Sequence, residues 1–236
     1  MFNTILFDLD DTLLKNNPEQ CLPHYFEALG NYVTPVMDKQ LFLQAMMIAV
    51  DVMTASEETA VSNHDIFWQS FETTTGRMQA SLEPRLQEFY RDVFPQLESY
   101  TGNRPVALEL MNYCFAKGWK VAIATNPVFP LAAIEERLRW AGVPVTAFDY
   151  ALVTVFENSS ATKPHSAYYQ QIVQKIDSKP SGTLMVGNDW ELDIEPTAAL
   201  GMSTYWISDG KTAPPDPNLI VGHGTLDDFF AYIQQQ

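Results

Sequence analysis

From Pro105 onward the sequence alternates between helical and strand-like segments, and that alternation narrows the possible folds more than any other feature. Pro105 suits a first helical position, the helix runs through Cys114 and Phe115, and Gly118 ends it. A strand-like run from Trp119 to Ala124 stops at Thr125-Asn126-Pro127. Pro130 to Ala141 reads as a helix with Gly142 beyond it, Tyr150 to Val155 as a strand, and His165 to Ile176 as a helix. Thr183 to Val186 is a strand that stops at Gly187-Asn188-Asp189. A helix then runs to Leu200, with Gly201 after it, and Ser203 to Ile207 forms a further strand. A Pro-rich loop (Pro214, Pro215, Pro217) precedes an amphipathic helix from Thr225 that carries Leu226, Phe229, Phe230 and Ile233. Strands alternating with helices predict an α/β fold with a Rossmann-like parallel sheet and right-handed crossovers. In such sheets a site lies outside the carboxyl ends of the strands.

The same reading applies to the N-terminal stretch. The apolar run Ile5 to Phe7 suits a buried strand, and it ends in Asp8-Leu9-Asp10-Asp11-Thr12. Side chains two apart on a strand share a face, so Asp8 and Asp10 are expected to point the same way. Two carboxylates that close, at the end of a buried strand, need either a raised pKa or a cation between them. A hard divalent ion with oxygen ligands, Mg²⁺, answers that need. The plainer alternative is a polar turn in which Asp11 or Thr12 caps the next helix.

Residues 16–100 differ in character. They are rich in Met, Gln, Glu and aromatics, and Leu82, Leu86, Phe89, Tyr90, Val93 and Phe94 follow a helical period. Leu41 to Val52 is apolar nearly all round, and Phe67, Trp68 and Phe71 belong to another helix. The expected organisation is an α/β core from residues 1–15 and 101–236, with an all-helical insert at 16–100 whose apolar stripes form its own core. A length of 236 residues and 46% hydrophobic content allow a substantial interior. The net charge of −15 argues against nucleic acid or an anionic membrane as partner. Cys21 and Cys114 lie far apart in apolar helical contexts, so buried thiols are expected. No apolar stretch approaches the ~20 residues of a membrane span and no signal peptide is apparent, so a cytoplasmic location is expected.

Four polar signals fall on one rim of the expected sheet: Asp8-Leu9-Asp10-Asp11-Thr12, Thr125-Asn126, Thr162-Lys163-Pro164, and Gly187-Asn188-Asp189-Trp190-Glu191-Leu192-Asp193. In this order and spacing the chain resembles the haloacid dehalogenase (HAD) superfamily outside the helical insert, which stands where that family carries a helical C1-type cap. The resemblance implies an aspartyl-phosphate chemistry with Asp8 as nucleophile and Asp10 as general acid and base, the Asp10 main-chain carbonyl binding metal. A role for Asp10 as a second metal ligand only is the alternative. It further implies that Thr125 and the Asn126 backbone N–H bind phosphate, and that the Lys163 ammonium offsets the charge of Asp8 and the phosphate. Asp189 is expected to complete an Mg²⁺ site, and Asp193 to ligate through water, orient the others or cap a helix. Glu191 and Asp11 are read as solvated or capping groups.

Because Asp10 is present, the dehalogenase and phosphonate-cleaving branches of the family are disfavoured. The expected activity is Mg²⁺-dependent hydrolysis of a small phosphorylated metabolite. A phosphomutase and a non-catalytic phosphate-binding protein are the alternatives. The insert is expected to choose the leaving group and to move as a lid, with hinges near 14–18 and 100–104.

Overall fold

The computed structural model describes residues 2–16 and 18–236. Strand β1 (Thr4–Phe7) and the short strand β2 (Leu14–Lys15) come first, followed by the long helices α1 (Pro18–Val33) and α2 (Lys39–Thr54). Helices α3 (Asn63–Thr75) and α4 (Gln79–Asp92) follow, with a 3₁₀ segment, Phe94–Tyr100, after them. The remainder alternates as the sequence predicts. It comprises β3 (Gly102–Asn103), α5 (Pro105–Ala116), β4 (Lys120–Ile123), α6 (Leu131–Trp140), β5 (Leu152–Val153) and α7 (Ser166–Lys175). Then come β6 (Thr183–Gly187), α8 (Glu195–Ala199), β7 (Ser203–Ile207), β8 (Gly222–Gly224) and α9 (Leu226–Ile233).

Six strands form one sheet in the order β5-β4-β1-β6-β7-β8, and every neighbouring pair is parallel. The chain runs outward from β1 to one side through β4 and β5, then returns to the other side through β6, β7 and β8. The strand order therefore reverses between β1 and β6, which is where doubly wound sheets open a crevice.

β1 sits at the centre because it is apolar on both faces. Ile5, Leu6 and Phe7 are fully buried, and burying each such side chain contributes about 1.5–3 kcal/mol. Ile5 and Phe7 face the layer holding α5 and α9, where Phe7 meets Phe229 edge-on at 5.9 Å. Leu6 faces the opposite layer with Tyr168, Tyr169 and Ile172 of α7. Helix α9 is fixed at its start by a reciprocal cap between Thr225 and Asp228.

Helices α1–α4 lie in the chain between β2 and β3, which pair antiparallel as a two-stranded ribbon, Leu14 opposite Asn103 and Lys15 opposite Gly102. One continuous apolar cluster joins these helices to the sheet: it runs from Ile5 and Phe7 through Tyr25 and Phe94 to Phe42 and Phe71.

Three elements differ from expectation. The strand expected over Tyr150–Val155 pairs only at Leu152–Val153. The helix expected before Leu200 begins as a π-helical turn, Trp190–Ile194, and becomes α-helical only at Glu195. Strand β8 lies outside the sequence-based expectation, since Gly222-His223-Gly224 carries no strand periodicity and pairs only as an edge. Cys114 is buried, Cys21 is half-buried, and both are free thiols. Among the described residues no helix is long and apolar enough to cross a membrane.

Candidate active site

The crevice between β1 and β6 begins with Asp8, the first residue past β1. Its N–H continues the ladder to the Val186 carbonyl at 2.9 Å, so the backbone at Asp8 is as fixed as the sheet. The chain then reverses on itself: the Leu9 carbonyl accepts the N–H groups of Thr12, Leu13 and Leu14. Asp11 takes a left-handed conformation, φ 55°, to make that turn. The reversal returns the Thr12 hydroxyl to Asp8, where it donates to Oδ2 at 2.9 Å.

The other carboxylate oxygen is held from across the sheet. Lys163 Nζ donates to Asp8 Oδ1 at 2.8 Å and to Asp193 Oδ1 at 2.6 Å. Lys163 is nearly inaccessible, as are both acids. It reaches the crevice from the loop before α7, and its own N–H is tied to Asn126 Oδ1 at 3.2 Å. The Lys163–Pro164 peptide bond is cis. Asp193 is aimed by the π-helical turn, which places its other oxygen against the Asp189 N–H at 3.1 Å. It also lies directly over Gly187, where an added Cβ would collide with the carboxylate.

Burial disfavours every charge here, and the three groups settle it between them. For Lys163 burial acts to lower the pKa, but Asp193 and Asp8 together outweigh it and hold the ammonium well above its ordinary range. Burial pushes the Asp193 carboxyl up to about 7, opposed by Lys163 and reinforced by Asp8.

Asp10 is placed differently from the strand-based expectation. The strand ends at Phe7, so the two-residue alternation no longer governs, and the Asp10 carboxylate turns away from Asp8. It is ion-paired with Arg137 of α6 and accepts from Asn16 Nδ2 at 3.1 Å. Arg137 is buried, and burial draws its guanidinium down to about 10 despite the opposing charge of Asp8. The Asp10 main chain, by contrast, stays in the crevice beside Asn188.

Asn188, not Asp189, faces Asp8. The Asn188 amide lies 2.8 Å from the Asp10 carbonyl oxygen and 3.2 Å from both Asp8 Oδ2 and Thr12 Oγ1 when its nitrogen is turned toward them as donor. Asp189 is not brought together with the other acids. Its side chain is exposed, and Oδ1 accepts the Leu192 N–H at 2.9 Å as the cap of the π-helical turn. Thr125 is buried at the end of β4, its carbonyl accepting the Thr154 and Tyr168 hydroxyls at 2.7 Å each.

The structure thus joins Asp8, Lys163 and Asp193 directly, joins Asn126 to them through Lys163, and leaves the Asp10 and Asp189 side chains outside the cluster. Thr12, Asn188 and Arg137 are participants to which the sequence alone assigns no part in the chemistry. Asn188 carries a signal, since it is the first polar residue after β6 as Asp8 is after β1. Arg137 carries none: it is one of several charges on an amphipathic helix.

Turned the other way, the Asn188 amide oxygen accepts the Thr12 hydroxyl at 3.2 Å and joins the Asp8 carboxylate and the Asp10 carbonyl as three converging oxygens, an arrangement that a cation between them would stabilise. One carboxylate, one main-chain carbonyl and one amide carbonyl form the hard, sparse donor set that Mg²⁺ accepts while keeping waters. The residues present fit that ion. Among the described residues no three His, Cys, Asp or Glu side chains gather as a metal site.

Known proteins resemble this chain in sequence and in fold. A pyrophosphatase PpaX from Bacillus cereus is 25% identical over 190 residues, 79% of this chain and 74% of that protein. A ribulose-1,5-bisphosphate 5-phosphatase from Halopiger xanaduensis is 26% identical over 212 residues, 86% of this chain and 84% of its own length. The fold is shared with a HAD phosphatase from Thermococcus onnurineus, with a TM-score of 0.60, 17% identity, and coverage of 99% of this chain and 98% of that one. The family model for haloacid dehalogenase-like hydrolases matches residues 2–201, and the chain belongs to that family of enzymes.

Proposed function

We propose that the chain is a Mg²⁺-dependent phosphatase that hydrolyses a small phosphomonoester through an aspartyl-phosphate on Asp8. The observation that carries this reading is the fixing of both Asp8 oxygens, one on Lys163 and one on Thr12, at the switch point of the sheet. A carboxylate held this way is oriented before substrate arrives. The phosphatase names of two relatives support the same reaction class.

In the first half-reaction an Asp8 oxygen bonds phosphorus as the bond to the leaving oxygen breaks. Lys163 balances charge on the nucleophile and the transferring group. Asp8, the Asp10 carbonyl and the Asn188 amide oxygen would hold a Mg²⁺, which would supply further positive charge to the transferring group. Asp10 leaves its ion pair with Arg137 and its bond from Asn16, takes up a proton from solvent, turns toward Asp8 and gives that proton to the departing oxygen. In the second half-reaction Asp10 removes a proton from water as the water oxygen bonds phosphorus and the bond from Asp8 to phosphorus breaks. Thr125 and the Asn126 N–H bind the phosphoryl oxygens. Residues 16–100 act as a cap over a core of residues 1–15 and 101–236, pivoting at the β2–β3 ribbon.

Asp8→Asn tests the nucleophile. Acid quenching during turnover of a radiolabelled aryl phosphate should leave label on the wild-type chain and none on Asp8→Asn, whose kcat falls by at least about 10³. Near wild-type turnover by Asp8→Asn would refute the assignment.

A further inference from the structure

A cavity of about 250 Å³ lies between the inserted helices and the loop after β4. Its walls include Tyr25 and Phe26 of α1, Met46 of α2, Trp68 of α3, and Phe129 and Phe156 from the core. Its wall at Phe129 is backed by Arg137, through which it adjoins Asp10. The Arg137 guanidinium stacks 5.2 Å from the Phe129 ring centre, and the same guanidinium is ion-paired with Asp10. We propose that this cavity receives the leaving group, and that the substrate is the phosphate monoester of a compact, mainly apolar alcohol with no second anionic group. The proposal rests on the phosphatase reading and narrows it to a substrate class.

Charge is the first ground. Among the described residues lining the cavity there is no Lys, Arg or His, and the only charged groups are Glu83 and Glu157. Glu83 is held by His64 at 2.9 Å and Gln79 at 2.7 Å, and Glu157, at the exposed mouth, accepts the Leu131 N–H. A second phosphate or carboxylate would enter a low-dielectric space lined by two acids and by no basic side chain. The basic groups against the lining are already engaged: His64 on Glu83, and Arg137, behind Phe129, on Asp10, while Arg85 is held on the Tyr32 carbonyl and ring.

Trp68 is the second ground. It is only 4% exposed, and its indole N–H is buried with no hydrogen-bond partner. Orphan buried donors are rare because they forfeit their hydration. An ether, ester or hydroxyl oxygen on the ligand would satisfy this one. Size is the third ground: a cavity of about 150 Å³ holds benzene, so this one takes a single ring with a short chain. Leu22 and Met47, half-exposed at the rim, continue the apolar lining to solvent.

The test compares kcat/KM, with Mg²⁺ present, for 2-phenylethyl phosphate, glycerol phosphate, pyrophosphate, ribulose 1,5-bisphosphate and acetyl phosphate. The expected result is at least a tenfold preference for 2-phenylethyl phosphate over glycerol phosphate, pyrophosphate and the bisphosphate. Val50→Phe, which fills the cavity, should lower the ratio of 2-phenylethyl phosphate to acetyl phosphate turnover about tenfold. Met47→Lys, a cation at the exposed rim, should shift the ratio several-fold toward pyrophosphate. Turnover of the anionic substrates as good as or better than that of 2-phenylethyl phosphate overturns the cavity assignment and leaves the phosphatase reading standing. Ratios left unchanged by both variants overturn the cavity assignment in the same way. No turnover of any panel member, acetyl phosphate included, overturns the phosphatase reading and this proposal with it.

Discussion

At the scale of single residues the site is a balance of buried charge, so the consequences of substitution follow from what is left unpaired. Lys163→Met removes the one cation between Asp8 and Asp193, both almost inaccessible. Stranding buried charge in this way costs about 3–5 kcal/mol, and a fall of that size in denaturant-derived stability is expected together with loss of activity. An unchanged midpoint would mean that Asp193 is already protonated and Asp8 hydrated without the lysine. Gly187→Ala acts on the same trio from below, because the new methyl needs the space of the Asp193 carboxylate. Overpacking of this kind costs about 1–3 kcal/mol, and activity should fall by more than stability because Lys163 loses its second anchor. Thermal melts paired with kcat measurements check this, and a variant with wild-type kcat would separate Asp193 from the working geometry. The acids Asp8 and Asp193 and the cation Lys163 are legible in the sequence because their chemistry is written in residue type. The same logic favours Asp189 over Asn188: a carboxylate looks like the better ligand until backbone register decides which neighbour faces the crevice.

Elements are legible to the degree that their periodicity is decided locally. β1, β4 and β6 are apolar runs ended by polar residues, and each lies where the sequence places it. β8 has two glycines in three residues and exists only because β7 offers it an edge. The reversal from Leu9 to Leu14 turns Asp10 out of strand alternation, which depends on the left-handed Asp11 rather than on any pattern. Between elements, His64 ties the start of α3 to α4 by donating toward Glu83 at 2.9 Å while also meeting Asp65 at 3.1 Å. Burial is the largest influence on its pKa and acts to lower it, but the bonds with Glu83 and Asp65 outweigh that and raise it. A histidine whose folded pKa is raised stabilises fully below the unfolded value of about 6.5 and loses that contribution as pH climbs through the folded value. The melting temperature of wild type should therefore exceed that of His64→Gln most at about pH 6 and by less at about pH 8.5. A gap that stays constant or widens over that range would remove the ionic part of the α3–α4 link.

For the whole molecule the governing quantity is a formal charge of −15, which works against compaction and is relieved by any cation in the medium. A stabilising effect of Mg²⁺ therefore has two sources, screening of the overall field and binding at one place, and they separate by their dependence on ionic strength. Screening acts through the Debye length, about 8 Å at 0.15 M, whatever salt supplies it. Binding at the Asp8, Asp10 and Asn188 oxygens adds RT ln(1 + [Mg²⁺]/Kd), about 2.7 kcal/mol at a hundredfold excess over Kd. At matched ionic strength MgCl₂ should raise the melting temperature above NaCl in wild type, and EDTA should erase the difference. Asn188→Ala removes one of the three oxygens without touching the net charge, so its excess should shrink while its response to NaCl is retained. If wild type and Asn188→Ala gain equally from MgCl₂, the ion acts on the general field alone, and the crevice between β1 and β6 holds no divalent cation of its own.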